Sequence, residues 1–419
     1  MRPLFPQLAA AFRLGWRWPD ALRALRHRNF RLFFFGQLVS LSGNWMQTTA
    51  QQWLVYRITG TQLSLGMVTF AAFLPVLLFS LFMGVVVDRL PRRRILLLTQ
   101  GWFMLLAVVL AALAAFDVVQ YWHILVLAVL LGIANALDMP ARQAFFADMV
   151  EREDLLNAIA LNSSAFNGAR IIGPAAAGLV VAAVGEAPAF AVNALSYLAV
   201  IAALLAMRLP PLAPNPNRGS GLSALREGLR HVAGDRRVLG LVVMIALFSL
   251  FGFPYLVLLP AVAKDVLGTG AEGYGALMAS MGVGALAGGL GLAVLGERVH
   301  KGRLLLASRA LFALAIGAFG FSRSVVPAML SLAVAGYAFI TQLATTNTLI
   351  QLLVPDALRG RVLSAYTWSL GGFWPLGALL FGALGDALGA PGAVLIAAGA
   401  ALVLTLGAWW KLPETRSLA

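Results

Sequence analysis

The sequence predicts an all-α integral membrane protein, with twelve transmembrane helices in two six-helix bundles that form a parallel repeat. Its composition, the spacing of its apolar runs and an internal repeat predict this fold. Of its 419 residues, 60% are apolar and only 11% are charged, and the mean hydropathy is +0.85. Soluble domains contain about 25% charged residues, so this composition excludes a soluble enzyme and a disordered chain.

Twelve apolar runs divide the chain into two halves, and each is close to the roughly 20 residues that a helix needs to cross a bilayer. A polar stretch with four prolines separates the sixth run from the seventh. Because the runs are continuous, they exclude a membrane β-barrel, whose strands alternate apolar and polar residues over about 10 positions. The runs cover residues 30–56, 63–87, 95–116, 122–145, 155–184, 187–207, 238–263, 274–295, 304–321, 325–350, 362–384 and 393–410.

These runs predict a division of the chain into five segments. The arginine-rich N-terminal segment contains Trp16 and Trp18 but lacks the apolar core of a secretory signal, which favours an amphipathic segment at the membrane interface. The prolines after the sixth run are typical of a linker. The segments are the N-terminal segment 1–29, a bundle at 30–207, a linker at 208–237, a second bundle at 238–411 and a tail at 412–419.

The net charge of +14 predicts orientation rather than nucleic-acid binding, because the basic residues lie between apolar runs instead of on one folded face. If both ends and the linker lie on one side, that side holds 26 of the 31 lysines and arginines. The other side then holds only Arg57, Lys264 and Arg323. Cytoplasmic loops contain the positive excess, so we expect both termini in the cytoplasm, in a bacterial inner membrane.

An internal repeat relates the two halves. Asp-Arg-Leu-Pro-Arg-Arg-Arg at 88–94 follows the second run, and Glu-Arg-Val-His-Lys-Gly-Arg at 297–303 follows the eighth. Both segments place an acid before an arginine and further bases, in the same loop of each half. Two repeated six-helix halves with a site at their interface are the plan of an alternating-access transporter.

Three segments resemble the major facilitator superfamily. Residues 84–93 resemble its loop signature between helices 2 and 3, with Pro91 in place of the usual glycine. Residues 168–178 resemble the glycine-proline motif on helix 5 of superfamily antiporters, and residues 138–159 are similar to the siderophore and drug exporters grouped with the enterobactin exporter. The resemblance covers nearly the whole chain, and it implies the major facilitator fold and an efflux activity.

The repeated loop is a candidate gate. Its aspartate can accept charge-assisted hydrogen bonds, and its arginines can reach the C-terminus of a neighbouring helix. We expect this cluster to hold the two halves together on the cytoplasmic side; the alternative is a solvated, positively charged loop. The candidate gating residues are Gly84, Asp88, Arg89, Arg92, Arg93, Glu297 and Arg298.

Ionisable residues within apolar runs are candidates for coupling transport to protons, because they are costly in a membrane. Asp138 lies in the fourth run with Arg142 one turn further on, and Arg170 lies in the fifth run. A carboxylate that faces an arginine across these helices could switch with protonation. The alternative is a static ion pair that ties the two helices together.

Polar residues at helical spacing predict a substrate cavity. They recur on one face of the first run and of the tenth, with a tryptophan from the eleventh. A cavity lined by amides, hydroxyls and aromatic rings suits a bulky amphipathic molecule; hydrogen bonding between helices without a substrate is the alternative. The candidate residues are Gln37, Ser40, Asn44, Gln47, Gln51, Tyr337, Thr341, Thr345 and Trp368.

The glycines of the fifth run predict a close helix contact. Gly168, Gly173 and Gly178 surround Pro174, and such residues permit close approach and a bend. Their grouping indicates a moving or sealing interface, which in the resembled family goes with export. Simple packing is the alternative for any one of these glycines.

Together these features predict a secondary transporter that exports a small amphipathic, drug-like or siderophore-like molecule by proton antiport. Two alternatives stay open: proton-coupled uptake of a small metabolite, and a membrane sensor or scaffold that transports nothing. Neither a nucleotide-binding loop nor a hydrolase motif occurs, so the protein is not expected to be an enzyme. We expect no cofactor and no metal site, since there is no cysteine and the four histidines lie far apart. The expected partners are the substrate, protons and the lipid bilayer, and the expected state is a monomer.

Overall fold

The computed structural model describes residues 20–208, 221–295 and 299–411, and it is helical almost throughout. The predicted tail at 412–419 and most of the N-terminal segment therefore lie outside the described residues, as do Glu297, Arg298 and part of the linker. The first half contains six long helices. They are α1 (Arg28–Thr59), α2 (Gln62–Arg89), α3 (Arg92–Ala115), α4 (Tyr121–Phe145), α5 (Leu155–Val184) and α6 (Glu186–Ala206).

The second half begins with a broken helix. The α-helical part of α7 covers Arg236–Phe251, and the chain continues through a 3-10 turn at Pro254–Leu258 and a π-helical turn at Val262–Val266. The remaining helices are α8 (Ala271–Leu295), α9 (Lys301–Phe321), α10 (Val325–Leu353) and a continuous segment, Asp356–Lys411.

Gly389 divides the segment Asp356–Lys411 into two helices. Its φ of +76° lies in the left-handed region that favours glycine, and Pro391 follows two residues later. We call the helices on either side α11 (356–388) and α12 (390–411). At 1.5 Å per residue, the apolar part of this segment is far longer than the roughly 30 Å core of a bilayer.

Ten helical segments in the described part of the chain are long and apolar enough to cross a membrane. The segment Leu358–Trp410 counts as one of the ten, and α1, which carries the predicted polar face, is absent from them. The all-helical membrane fold is therefore confirmed. The number of crossings stays a prediction.

Helices pack in the same pairs within each half. In the first half, α2 and α3 both pack on α4, and α1 packs on α5 and α6. In the second half, α8 and α9 both pack on α10, and α7 packs on the segment Asp356–Lys411. Between the halves, α5 packs on α8 and α2 packs on Asp356–Lys411. Two helix pairs therefore form the main contact between the halves.

Side-chain bonds to helix ends define one side of the first half. Arg93 donates to the carbonyl oxygen of Leu205 at the end of α6 (2.9 Å), and Arg28 donates to that of Ala206 (3.2 Å). Arg92 donates to Asp148, just beyond α4 (2.6 Å). These bonds bring the beginnings of α1 and α3 together with the ends of α4 and α6. We call this end of the molecule the arginine-rich side and the opposite end the arginine-poor side.

The described part of the N-terminal segment packs against protein. Residues Asp20–Arg26 form a 3-10 helix, in which Ala24 and Leu25 are buried. The carboxylate of Asp154, before α5, contacts Arg26 (2.9 Å) and His27 (2.7 Å). These contacts place residues 20–27 on the connection between α4 and α5.

The described part of the linker forms a helix of its own, Gly221–Gly234, and Glu227 on this helix forms an ion pair with Arg361 at the beginning of α11. Asp235 then caps α7, because its side chain accepts a hydrogen bond from the backbone N–H of Arg237 (2.9 Å). The hydrogen bond from the Arg237 side chain holds the pKa of Asp235 below its ordinary value.

Candidate functional site between the two halves

The crossing of α5 and α8 brings the backbones of the two halves into contact. A Cβ atom on Gly275 would lie 2.5 Å from the carbonyl oxygen of Pro174, and one on Gly178 would lie 2.9 Å from that of Ala271. No side chain larger than hydrogen fits at that separation unless the backbones move apart. The glycine-proline motif on α5 therefore lies at the interface between the halves, towards the arginine-poor side.

The crossing of α2 and α11 is equally close. A Cβ on Gly66 would lie 2.4 Å from the carbonyl oxygen of Ala378. Asp386, near the end of α11, accepts hydrogen bonds from the backbone N–H groups of Gln62 (2.6 Å) and Leu63 (3.0 Å). A carboxylate from one half thus caps a helix of the other, where the exposed N–H groups favour negative charge.

A third contact joins the halves on the same side. The hydroxyl of Tyr56, near the end of α1, donates a hydrogen bond to Asp265 in the π-helical turn after α7, and the Lys264 ammonium lies 5.6 Å from the centre of the Tyr56 ring. The halves are therefore held together at the arginine-poor side by polar contacts as well as by glycine packing.

Arg170 lies at mid-height between the halves, and only 5% of its surface is exposed. Its guanidinium carbon lies 5.6 Å from the centre of the Trp45 ring and 5.8 Å from that of Phe339. Its Nη2 donates to the sulfur of Met281 (3.5 Å), whereas its Nε is buried without a hydrogen-bond partner. No carboxylate among the described residues forms an ion pair with it.

Further aromatic rings from both halves pack next to the rings that contact Arg170. Phe253 stacks on Phe339, with ring centres 4.7 Å apart, and lies 4.9 Å from Trp374. Phe73 of the first half lies 4.6 Å from Trp374, whose indole Nε1 is buried without a hydrogen-bond partner. We call this group the central cluster; its members are Trp45, Phe73, Phe166, Arg170, Phe253, Met281, Phe339 and Trp374.

The break in α7 places Phe253 in the central cluster. The helix ends at Phe251, and Pro254 begins the 3-10 turn that follows. Tyr255 on this turn is fully buried, and its hydroxyl donates to the sulfur of Met281 (3.2 Å). Discontinuous helices near the middle of the bilayer form the binding sites of many transporters. The break therefore supports a functional role for the cluster.

Asp138 lies in a separate polar cluster on α3 and α4. Its two carboxylate oxygens accept hydrogen bonds from Thr99 (2.7 Å), Gln100 (2.9 Å) and Arg142 (3.0 Å from Nε), and only 1% of its surface is exposed. Arg142 also pairs with it through Nη2. Arg170 does not join this cluster; its guanidinium contacts Trp45, Phe339 and Met281 instead. Residue spacing shows which residues share a face of α5 with Arg170, but not which neighbouring helix that face meets.

The polar face of α1 lies against α6. Asn193 on α6 donates to Gln47 (2.7 Å) and to Asn44 (3.4 Å), and Asn44 also accepts a hydrogen bond from the Tyr197 hydroxyl. Gln37 and Ser40 are buried, and Gln51 is half-buried. For Asn44 and Gln47 these contacts match the alternative interpretation, hydrogen bonding between helices.

The predicted polar face of α10 is packed against protein, whereas the tryptophan predicted to join it from α11 is exposed. A Cβ on Gly288 of α8 would lie 2.6 Å from the carbonyl oxygen of Tyr337 and 3.2 Å from the hydroxyl of Thr341, so this part of α10 packs on α8. Thr345 is buried, and its hydroxyl has no hydrogen-bond partner. Trp368 on α11 is 40% exposed.

The arginines of the predicted gating loop bind within the first half. Arg92 is largely buried and pairs with Asp148, and Arg93 binds the end of α6. These contacts match the expected reach to neighbouring helix ends. Arg89 is exposed. Gly84 and Asp88 lie in α2, and the surroundings of these two residues are not among those that the structure describes. Glu297 and Arg298 lie outside the described residues.

The motif on α5 contains glycines with different surroundings. A Cβ on Gly173 would lie 2.5 Å from the Cβ of Trp45, so Gly173 lets α1 approach α5. Gly178 serves the contact between the halves. A Cβ on Gly168 would meet no atom within 4 Å, so this glycine is not required for packing.

No group of three or more His, Asp or Glu side chains that could hold a metal ion occurs among residues 20–208, 221–295 and 299–411. Sequence reasoning did not assign Phe73, Phe253, Met281 or Phe339 of the central cluster to the site. Phe73, Met281 and Phe339 lie within long apolar runs, where nothing next to them in the sequence separates them from lipid-facing residues. The Gly-Phe-Pro sequence at 252–254, which interrupts an apolar run, is the one local signal that could have found Phe253.

Solved structures of membrane transporters share this fold. A bacterial homologue of the human lysosomal transporter Spinster, in an inward-facing and unoccupied conformation, matches with a TM-score of 0.73 and 15% identity, over 94% of this chain and 98% of that one. A D-xylose-proton symporter matches with a TM-score of 0.70 and 15% identity, over 92% and 99% of the two chains. The chain therefore has the same fold as these two structures.

The family model described as transmembrane secretion effector, within the major facilitator superfamily, matches residues 20–419, and the chain belongs to this family. The multidrug efflux pump Tap of Mycobacterium tuberculosis is 31% identical over 92% of this chain and 94% of that protein. The staphyloferrin A transporter of Staphylococcus aureus is 27% identical, over 86% and 90%, and the enterobactin exporter EntS of Escherichia coli is 28% identical, over 77% and 76%. These findings confirm the resemblance seen in the sequence; the protein is a membrane transporter and not an enzyme.

Proposed function

We propose that this protein is a secondary active transporter that exports a small amphipathic molecule, drug-like or siderophore-like, by alternating access. In this proposal twelve helices cross a bacterial inner membrane as two repeated six-helix bundles, with both termini in the cytoplasm, and the protein acts as a monomer. The matching helix pairs in the two halves support the repeat. The relatives named for drug efflux and siderophore transport support the direction and the class of cargo.

One observation carries the proposal. The central cluster takes residues from both halves at mid-height, and the halves touch on its arginine-poor side through Gly178, Gly275 and Asp386. If the halves rock about this cluster, a molecule bound there is released to one side at a time. This is the geometry that alternating access requires.

We further propose that export is coupled to proton entry and that Asp138 is the group that takes the proton. Its carboxylate oxygens are surrounded by donors from Thr99, Gln100 and Arg142. A proton on either oxygen would replace an acceptor by a donor, so a hydrogen bond to Arg142 or to α3 would be lost. Because Asp138 is buried, that loss would change how α3 packs on α4.

The gating loop completes the cycle in this proposal. Arg89, Arg92 and Arg93 lie at the arginine-rich side; Asp88 belongs to the same loop, and the sequence repeats its acid-arginine pair as Glu297 and Arg298. When the arginine-poor side opens, these charged residues would hold the two halves together at the arginine-rich side. The contacts of Arg92 and Arg93 to α4 and α6 support a loop that is already fixed within the first half.

The test is transport by purified protein in liposomes, with an imposed proton gradient and a panel of fluorescent amphipathic dyes of both charges. We expect gradient-driven dye movement in the direction opposite to the protons. Asp138→Asn should abolish its dependence on the gradient while the protein stays folded. Asp117→Asn is the matched control, because Asp117 is exposed and asparagine tolerates its positive φ. Unchanged gradient-driven transport by Asp138→Asn would rule out Asp138 as the coupling group, and movement with the protons would indicate uptake.

A further inference from the structure

The positive charge of Arg170 is not neutralised by any group among the described residues. Its Nε has no partner, and its one polar contact is to the weakly accepting sulfur of Met281. Asp138, the buried acid of α4, is already bound by Arg142, Thr99 and Gln100. A buried charge without a partner is strongly unfavourable. Arg170 differs from the equally buried Arg309 because it lies between the two halves, against Trp45 of one and Phe339 of the other, where a ligand held between the halves could supply the opposite charge.

The surroundings of Arg170 also define the shape of such a ligand. Trp45 and Phe339 flank the guanidinium, and Phe253 and Trp374 extend the apolar surface towards the second half. The indole Nε1 of Trp374 is a second buried donor without an acceptor. The cluster therefore presents the guanidinium cation of Arg170, flat apolar rings beside it, and the indole N–H of Trp374 as a hydrogen-bond donor.

We propose that the cargo is an amphipathic anion, with a carboxylate-type group that binds Arg170 and a flat apolar body that lies on the rings of the central cluster. Trp374 donates to a second acceptor on the same molecule. This proposal rests on the transport function proposed above and narrows its substrate class. The guanidinium has a planar fork of donors that matches a carboxylate with two parallel hydrogen bonds.

A cationic cargo does not fit the same residues. Aromatic rings can attract cations, but Arg170 already occupies that role beside Trp45 and Phe339. No carboxylate from the described residues lies in the cluster to balance a second positive charge. A cation placed on these rings would face Arg170 at short range in an apolar environment, where like charges repel most strongly.

The test is equilibrium binding to the full-length protein in lipid nanodiscs, with empty nanodiscs as the background. The probe is radiolabelled 2-naphthylacetate, and the competitors are its methyl ester and 2-naphthylethylammonium, which keep the naphthyl ring and replace the carboxylate by an uncharged or a positively charged group. We expect saturable binding of the carboxylate, which the unlabelled acid displaces and which neither the ester nor the ammonium compound displaces. Absence of saturable carboxylate binding, or equal displacement by the ammonium compound, would overturn the proposal.

Variants separate recognition from folding. Arg170→Gln should weaken carboxylate binding by about tenfold or more, the usual effect of losing a charged hydrogen bond. Arg170→Lys should retain part of the affinity because it keeps the charge without the planar fork. Arg309→Gln is the matched control, since Arg309 is equally buried, at 5% exposure, and lies beside Met244, Phe248 and Thr405 outside the cluster. Equal loss in Arg170→Gln and Arg309→Gln would contradict specific recognition.

The binding measurement needs no gradient, so its outcome is independent of the transport assay. Selective carboxylate binding without gradient-driven export would contradict the proposed function and leave this inference standing. Gradient-driven export of cationic dyes that Arg170→Gln leaves unchanged would support the proposed function and contradict this inference. If Arg170→Gln does not fold, the selectivity of the wild-type protein between the acid and the ammonium compound still tests whether the site binds an anion.

Discussion

Polar residues that share one face of a helix in this protein have different hydrogen-bond partners. Asn44, Gln47 and Gln51 share one face of α1 in the sequence, yet Asn44 and Gln47 bind Asn193 or Tyr197 on α6, and the Gln51 side chain has no hydrogen bond in the described structure. A helical period shows which residues share a face, but it does not show which neighbour that face meets. The neighbour depends on contacts far apart in the sequence.

Asn44→Ala is therefore expected to weaken the first half rather than the recognition of cargo. Hydrogen bonds between membrane helices contribute about 0.6 kcal/mol on average and up to about 1.7 kcal/mol, and we expect a loss in the free energy of unfolding within that range. Gln51→Ala is the control, and denaturant unfolding in detergent is the measurement. If Asn44→Ala leaves stability unchanged and weakens dye binding instead, Asn44 lines a binding site.

At the scale of the helix, the α5 motif shows how much of an element the sequence can predict. Its glycines and Pro174 predicted close contact, and the structure places Gly173 against α1 and Gly178 against α8. The same pattern could not separate these two from Gly168, which meets no neighbour. The broken course of α7 went unpredicted, although the Gly-Phe-Pro sequence at 252–254 interrupts its apolar run.

The difference between Gly178 and Gly168 can be measured directly. In Gly178→Ala the new Cβ would stand 2.9 Å from a backbone oxygen of α8, so the arginine-poor side can close only if the helices separate. Overpacking of this kind costs about 1–3 kcal/mol, and we expect slower export and less population of the closed form. Gly168→Ala should export at the wild-type rate. Equal rates for the two variants would show that the α5–α8 contact does not limit the cycle.

For the whole molecule, composition and run spacing were enough to predict a helical membrane protein, and the repeated loop was enough to predict a transporter. The central cluster could not be predicted as a unit, because its rings come from helices spread over more than 300 residues of the chain. The closed side of the structure could not be predicted either, because contacts between the two assembled halves determine it. It depends on pairs such as Asp386 with Gln62, which are 324 residues apart.

Distances between spin labels on the two sides test the central claim, that the halves rock about the central cluster. The chain has no cysteine, so cysteine pairs can be introduced directly: Ile58 with Leu388 on the arginine-poor side, and Leu90 with Leu352 on the arginine-rich side, all four of them exposed. Asp386→Asn weakens the cap on α2. Electron-electron double resonance should then show the first distance lengthening and the second shortening relative to the protein with Asp386 intact. Two distances that stay fixed, or that change in the same direction, would contradict alternating access in this protein.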